Sequence, residues 1–143
     1  MTVARILQEK GRDVFTTQPH RTLKEVIGLL AEKGVGAVVV SDASLSVLGI
    51  LSERDVVRVL GERGAAVLEE PVSAVMTRKV VSCKQSDTVA VIMEIMTLGK
   101  FRHLPVLDGD RVVGLISIGD VVKWRVGEYE REQEALREYI KTA

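Results

Sequence analysis

The chain is one unit written twice. Slid forward by 66 positions, Thr22 meets Thr88, Val26 meets Ile92, Ile27 meets Met93, Leu30 meets Met96, Val40 meets Val106 and Asp42 meets Asp108. Past Asp42 the offset falls to 65, so that Gly49, Ser52 and Asp55 meet Gly114, Ser117 and Asp120, and Val56-Val57 meet Val121-Val122. The lost residue falls in the segment between Asp42 and Gly49, a turn, where changes of length cost least. A fainter match sets Val3–Leu7 against Val72–Met76. In 143 residues, a duplicated unit of this size implies two small halves fused around shared apolar faces.

Each unit reads as strand, helix, strand, strand, helix. Val14–Thr17 and Val80–Cys83 are short β-branched starts. From Thr22, the residues Leu23, Val26, Ile27 and Leu30 recur at helical spacing, and Thr22 with Glu25 makes a capping-box pattern. From Thr88, the residues Val89, Ile92, Met93 and Met96 repeat that face, which predicts a core role for both methionines. Ala37–Val40 and Leu104–Leu107 are buried-strand runs, followed by Val47–Leu51 and, after an Asp108-Gly109 hairpin signal, Val112–Ile116. Helices then start at Ser52 and Ser117. Residues 61–71 hold two glycines and a proline and read as a connection. The divisions are therefore 1–62 for the first repeat, 63–71 for the connection, 72–126 for the second repeat and 127–143 for a helical extension.

The duplicated Gly-x-x-Ser-x-x-Asp element sits where a strand turns into a helix. Capping alone accounts for one copy: the serine caps the first turn and the acid complements the helix dipole. Two copies at matching places ask for more, because capping tolerates several residues at either position. The same geometry serves a ligand. A serine at a helix start offers a donor to phosphate, and a carboxylate one turn in accepts both hydroxyls of a ribose. The glycine would let a flat ligand approach the backbone.

Composition narrows the partners. Twenty basic and twenty acidic residues cancel, leaving no electrostatic footprint for nucleic acid. The start, MTVARILQEKGRD, lacks a signal-peptide apolar region, and no apolar run approaches a membrane span. A single cysteine, Cys83, precludes an intrachain disulfide and suits a reducing cytoplasm. Two histidines and one cysteine do not build the usual zinc site, and Gly34-Val-Gly36 is no dinucleotide fingerprint because Val39 stands at the third glycine.

Two tandem units ending in Gly-x-x-Ser-x-x-Asp resemble a pair of CBS (cystathionine β-synthase) domains, a Bateman module. Met76-Thr77 before the second unit and Arg102-His-Leu-Pro-Val106 strengthen the likeness, which covers roughly residues 1–126. The resemblance implies an α/β fold of two β-α-β-β-α repeats related by a pseudo-two-fold, with a C-terminal helical extension. It implies a regulatory, non-catalytic protein that binds adenosine-based ligands (AMP, ADP, ATP, NAD(H) or S-adenosylmethionine) between the repeats. By resemblance, Asp55 and Asp120 would each hold a ribose, and Ser52 and Ser117 would sit near the α-phosphate. Thr16, Thr17, Ser82 and Cys83 would line the adenine and ribose pockets. Val35, Gly36 and Ala37 in one unit, and Arg102, His103, Leu104 and Pro105 in the other, open the middle strands that meet base and phosphates. Lys100, Arg102, His103 and Arg54 are the expected phosphate cations. Because Lys100, Arg102 and His103 lie on the unit of Asp120, the cleft served by Asp120 is expected to be the stronger.

Residues 121–140 read as one long helix whose Val122, Val126, Tyr129, Gln133, Leu136 and Ile140 alternate four and three apart. That stripe fits folding back on the module or a short dimer seam, and the resemblance favours a homodimer. An unidentified protein target would receive the signal. Two alternatives stay open: a structural dimer without working ligand sites, and an enzyme with an unrecognised site, although no nucleophile–base pair or carboxylate dyad stands out.

Overall fold

The computed structural model describes residues 1–142. The fold is mixed α/β. Helix α1 (Val3–Lys10) leads to a short β1 (Thr16–Thr17), α2 (Leu23–Lys33), β2 (Ala37–Ser41), β3 (Val47–Ser52) and α3 (Glu53–Arg63). Two 3₁₀ turns, Ala65–Glu69 and Val72–Ala74, carry the chain across. The second unit runs α4 (Val89–Gly99), β4 (His103–Asp108), β5 (Arg111–Ser117) and α5 (Ile118–Thr142). β1 lies parallel to β2 and β2 antiparallel to β3; β4 and β5 form the matching antiparallel pair.

The expected strand at Val80–Cys83 is reduced to a single bridge, Cys83 beside Val106, at the place where Thr17 pairs with Val40. Its neighbour Lys79 is exposed and Val80 only half-buried, so little apolar burial holds a longer strand there. The Thr22 hydroxyl caps α2 by accepting from the Glu25 amide at 3.2 Å, but the Glu25 carboxylate turns to Arg21 rather than completing a box. Met96 is buried as expected, whereas Met93 lies 39% exposed on α4. The helix beginning after Ser117 and the C-terminal extension are one continuous helix.

The two units exchange their leading segments. Val3, Ile6 and Leu7 of α1 are buried among Ile92, Met96, Leu104 and Ile116 of the second unit. Val72, Val75 and Met76 are buried among Leu23, Val26, Val38 and Leu51 of the first. Backbone bonds mirror each other across the pseudo-two-fold. The Val3 amide donates to Asp87 O at 2.9 Å and the Val72 amide to Arg21 O at 2.7 Å; Val89 donates to Met1 O and Leu23 to Glu70 O. A fully buried aliphatic side chain stabilises by about 1.5–3 kcal/mol, so the six exchanged side chains couple the halves by several such contributions.

This exchange explains the repeated glycines. A Cβ on Gly49 would stand 2.5 Å from Met76 Sδ and 2.9 Å from Thr77 O; one on Gly114 would stand 2.8 Å from Leu7 Cδ2. Leu7 and Met76 are the paired ends of the faint leading match. The space above each glycine is therefore filled by the other unit's leading segment, and the expectation of a flat ligand on that backbone is corrected. Among the described residues no helix is long and apolar enough to cross a membrane.

Candidate functional site

The two motif serines begin α3 and α5 side by side, so both helix starts open on one cleft of about 800 Å³ between the units. At α3 the Asp55 amide donates to Ser52 Oγ at 3.3 Å, while Asp55 Oδ2 accepts from the Ser52 amide at 2.9 Å and hydroxyl at 3.1 Å. This is a full capping box. The Glu53 amide is taken by Gly36 O at 2.9 Å, and the equivalent Ile118 amide by Arg102 O at 2.8 Å. With those first-turn donors used by the protein, neutralising an anion falls to side chains.

The side chains are there. Arg54, Arg58, Lys100 and Arg102 line the cleft together with the carboxylates of Glu53 and Asp55, four cations against two anions. Lys100 ends α4 in the left-handed conformation, at φ 58°, where the first unit has Gly34 at φ 63°. A lysine held there instead of glycine is strained by roughly 1 kcal/mol, and its side chain lines the cleft. His103 lies against Gly36 of the opposite unit: a Cβ on Gly36 would stand 3.1 Å from its Nε2. Burial is the main influence holding the His103 imidazole below its ordinary pKa, with help from the positive charge of Lys10.

Asp55 and Asp120 are not equivalent. The Asp55 carboxylate lines the cleft; its Oδ1 meets Thr77 Oγ1 at 3.5 Å and the exposed Arg58 at 3.3 Å. Asp120 does not line it. Lys10 Nζ, at the end of α1, donates to Asp120 Oδ2 and to Leu115 O, both at 2.6 Å. The pseudo-symmetry shows what Lys10 replaces. In the first site the Thr77 amide donates to Ile50 O at 2.9 Å; in the second the ammonium reaches Leu115 O, the counterpart of Ile50. Burial opposes ionisation of Asp120, but the hydrogen bonds from Lys10 and the Ser117 amide outweigh it and hold the carboxyl below the ordinary range.

Of the residues singled out from sequence, Val35, Gly36, Ser52, Arg54, Asp55, Lys100, Arg102, His103 and Ser117 surround this cleft. Ala37, Leu104 and Pro105 are buried in strands, and Thr16 and Thr17 lie half-buried on β1. Ser82 and Cys83 belong to a separate hollow of about 600 Å³ with Lys84, Asp87 and Asp108. Burial, and then the Asp87 charge, push the Cys83 thiol up to about 12, so it stays protonated near neutral pH. Lys100, Arg102 and His103 of the second unit line the same cleft as Asp55 of the first, whereas Asp120 is not among its lining residues, although its charge acts on His103. Sequence reasoning passed over Lys10 and the part played by Thr77. The faint leading match ends at Leu7 and Met76, just before both, and hinted only that the two segments hold equivalent places.

The profile of the CBS domain family matches residues 3–62 and 72–127. The crystal structure of the CBS-domain-containing protein ATU1752 from Agrobacterium tumefaciens is 49% identical with a TM-score of 0.84, over 87% of this chain and 99% of that one. The CBS domain protein PAE2072 from Pyrobaculum aerophilum, complexed with AMP, is 25% identical with a TM-score of 0.74, over 84% of this chain and 89% of that one. An uncharacterized 33.4 kDa protein in the ribosomal RNA operon of Thermofilum pendens is 36% identical over 127 residues, 85% of this chain but 41% of that protein. Matched in both halves and carrying the doubled glycine-serine-aspartate element, the chain belongs to the CBS-domain family as a tandem pair of its repeats.

Proposed function

We propose that the chain is a regulatory module that binds one adenosine-containing ligand (AMP, ADP, ATP, NAD(H) or S-adenosylmethionine) in the cleft between its repeats. The observation that carries this is the convergence of the Asp55 carboxylate, Ser52 and the cations Arg54, Arg58, Lys100 and Arg102 on one opening. Asp55 accepts the ribose hydroxyls, exchanging the loose contact with Arg58, and the freed arginine joins the phosphate cations. Ser52 and Ser117 lie beside the α-phosphate. The volume suits a nucleotide-sized ligand, and AMP in the related PAE2072 supports an adenine base. The protein acts without catalysing a reaction. It passes its ligand state to a protein target as a homodimer in the cytoplasm.

Thermal denaturation against AMP, ADP, ATP, NADH, S-adenosylmethionine and GMP tests this. A ligand at 100 times its Kd adds about 2.7 kcal/mol of stability, equivalent to roughly 5–10 °C for a chain of this size. A shift with at least one adenosine compound and none with GMP supports the proposal. No shift with any of the panel at millimolar concentration overturns it.

A further inference from the structure

Helix α5 has two apolar faces. On one, Val121 and Trp124 are buried against the core of the second unit. The other points away from the module and carries Val122, Val126, Tyr129, Leu136 and Ile140, each 50–65% exposed. From Tyr129 to Thr142 every described residue except Gln133 is exposed, so this stretch leaves the body as a lone helix. An isolated helix of this length is marginal in water, and Gly127, just before it in α5, costs about 1 kcal/mol more. The stretch therefore needs a partner along its outer stripe.

The stripe runs four and three apart, as the a and d positions of a heptad: Val122, Tyr129 and Leu136 at d; Val126, Gln133 and Ile140 at a. The flanking g positions are then Arg125, Glu132 and Tyr139, and the e positions Lys123, Glu130 and Arg137. In a parallel in-register pair each g residue faces the e residue five positions on in the partner. Arg125 then meets Glu130 and Glu132 meets Arg137, opposite charges in both cases. An antiparallel pair sets e against e and g against g, which brings Glu130 onto Glu130 and Glu132 onto Glu132. Among the described residues Arg125 pairs in its own chain with Glu128 at 3.4 Å, a contact easily exchanged.

We infer that two copies of this chain join through a parallel, in-register coiled coil of their α5 helices, with Gln133 facing Gln133 as the polar layer that fixes register. The surface goes beyond the nucleotide proposal and is independent of whether the cleft is occupied. It also differs from a dimer built on the repeats' own helices, because it lies on the part of α5 that leaves the body.

The test uses the full chain without nucleotide. Leu136→Cys should form an intermolecular disulfide under mild oxidation, because d positions face each other only in the parallel arrangement; buried Cys83 does not compete. Glu132→Arg should abolish that cross-link at micromolar protein and weaken dimerisation on the order of tenfold. Glu132→Arg combined with Arg137→Glu should restore both, since the charges are exchanged rather than lost. Glu132→Arg should also lose some helical circular dichroism from the α5 tail, regained in the double variant, while the thermal unfolding of the repeats stays unchanged because both positions are exposed. A monomer mass by light scattering, or a dimer in which Leu136→Cys fails to cross-link, overturns the inference. So does a cross-link indifferent to the charge reversal.

Discussion

Removing the Lys10 ammonium is the sharpest perturbation of the second carboxylate. Its Nζ makes two hydrogen bonds of 2.6 Å, to Asp120 Oδ2 and Leu115 O, with the lysine side chain 34% and the Asp120 side chain 20% exposed. A shielded charge-assisted bond contributes about 1.5–3 kcal/mol and an exposed ion pair about 0.2–1. A pair between those limits is worth about 1–2 kcal/mol, so Lys10→Ala should lower Tm by roughly 2–8 °C at neutral pH. The pH dependence follows in sign. The folded carboxyl of Asp120 is held below its ordinary value of 3.8. Its contribution is thus complete above that value and lost as pH falls through the depressed folded value. The gap between wild type and Lys10→Ala should hold above about pH 5 and narrow in strong acid to what the Leu115 O bond contributes. Calorimetric unfolding of wild type, Lys10→Ala, Asp120→Asn and the double variant checks this. Losses that add to within about 0.5 kcal/mol would refute the pairing.

Lys100→Gly should relieve the left-handed strain and raise stability by about 1 kcal/mol in urea unfolding, yet weaken ADP binding by removing a cleft cation. Because burial, with the Lys10 charge, holds His103 below its ordinary pKa, ADP affinity should rise as pH falls into the acid range where the imidazole protonates and can meet the phosphates; His103→Asn should flatten that rise in titration calorimetry. Gly49→Ala should cost about 1–3 kcal/mol through overpacking against Met76 and the Thr77 carbonyl. Gly114→Ala should cost less, since it meets only the branched end of Leu7; equal and negligible losses in urea unfolding would contradict the exchanged-segment packing.

The duplication made the fold legible, because helix periodicity, the Asp108-Gly109 hairpin and both caps repeat at one offset. Val80–Cys83 misled because β-branched composition promises a strand only where burial supports one, and there only Cys83 is drawn into the core. The glycines misled for a related reason. Spacing marks them as positions of close approach, but what approaches is Met76 or Leu7, supplied by a tertiary exchange that local pattern does not reveal. The cations Lys100, Arg102 and His103 were legible as residues but not as neighbours. Their placement beside Asp120 followed chain order, whereas the packing of the two units also brings them to line one cleft with Asp55 of the first. Lys10 had no motif to announce it; its role exists only because α1 packs on the opposite unit.

The most direct test is titration calorimetry with AMP on wild type, Asp55→Asn and Asp120→Asn, with folding checked by circular dichroism. Asparagine keeps an acceptor for the Ser52 amide, so α3 should retain much of its start. Each hydrogen bond lost from a ribose to a carboxylate costs about 1.5–3 kcal/mol, roughly 10- to 150-fold in Kd. One AMP per wild-type chain is expected, with affinity reduced at least tenfold in Asp55→Asn and left within about threefold in Asp120→Asn. Two equal sites in the wild type, or a greater loss in Asp120→Asn than in Asp55→Asn, would contradict a single nucleotide site built on Asp55.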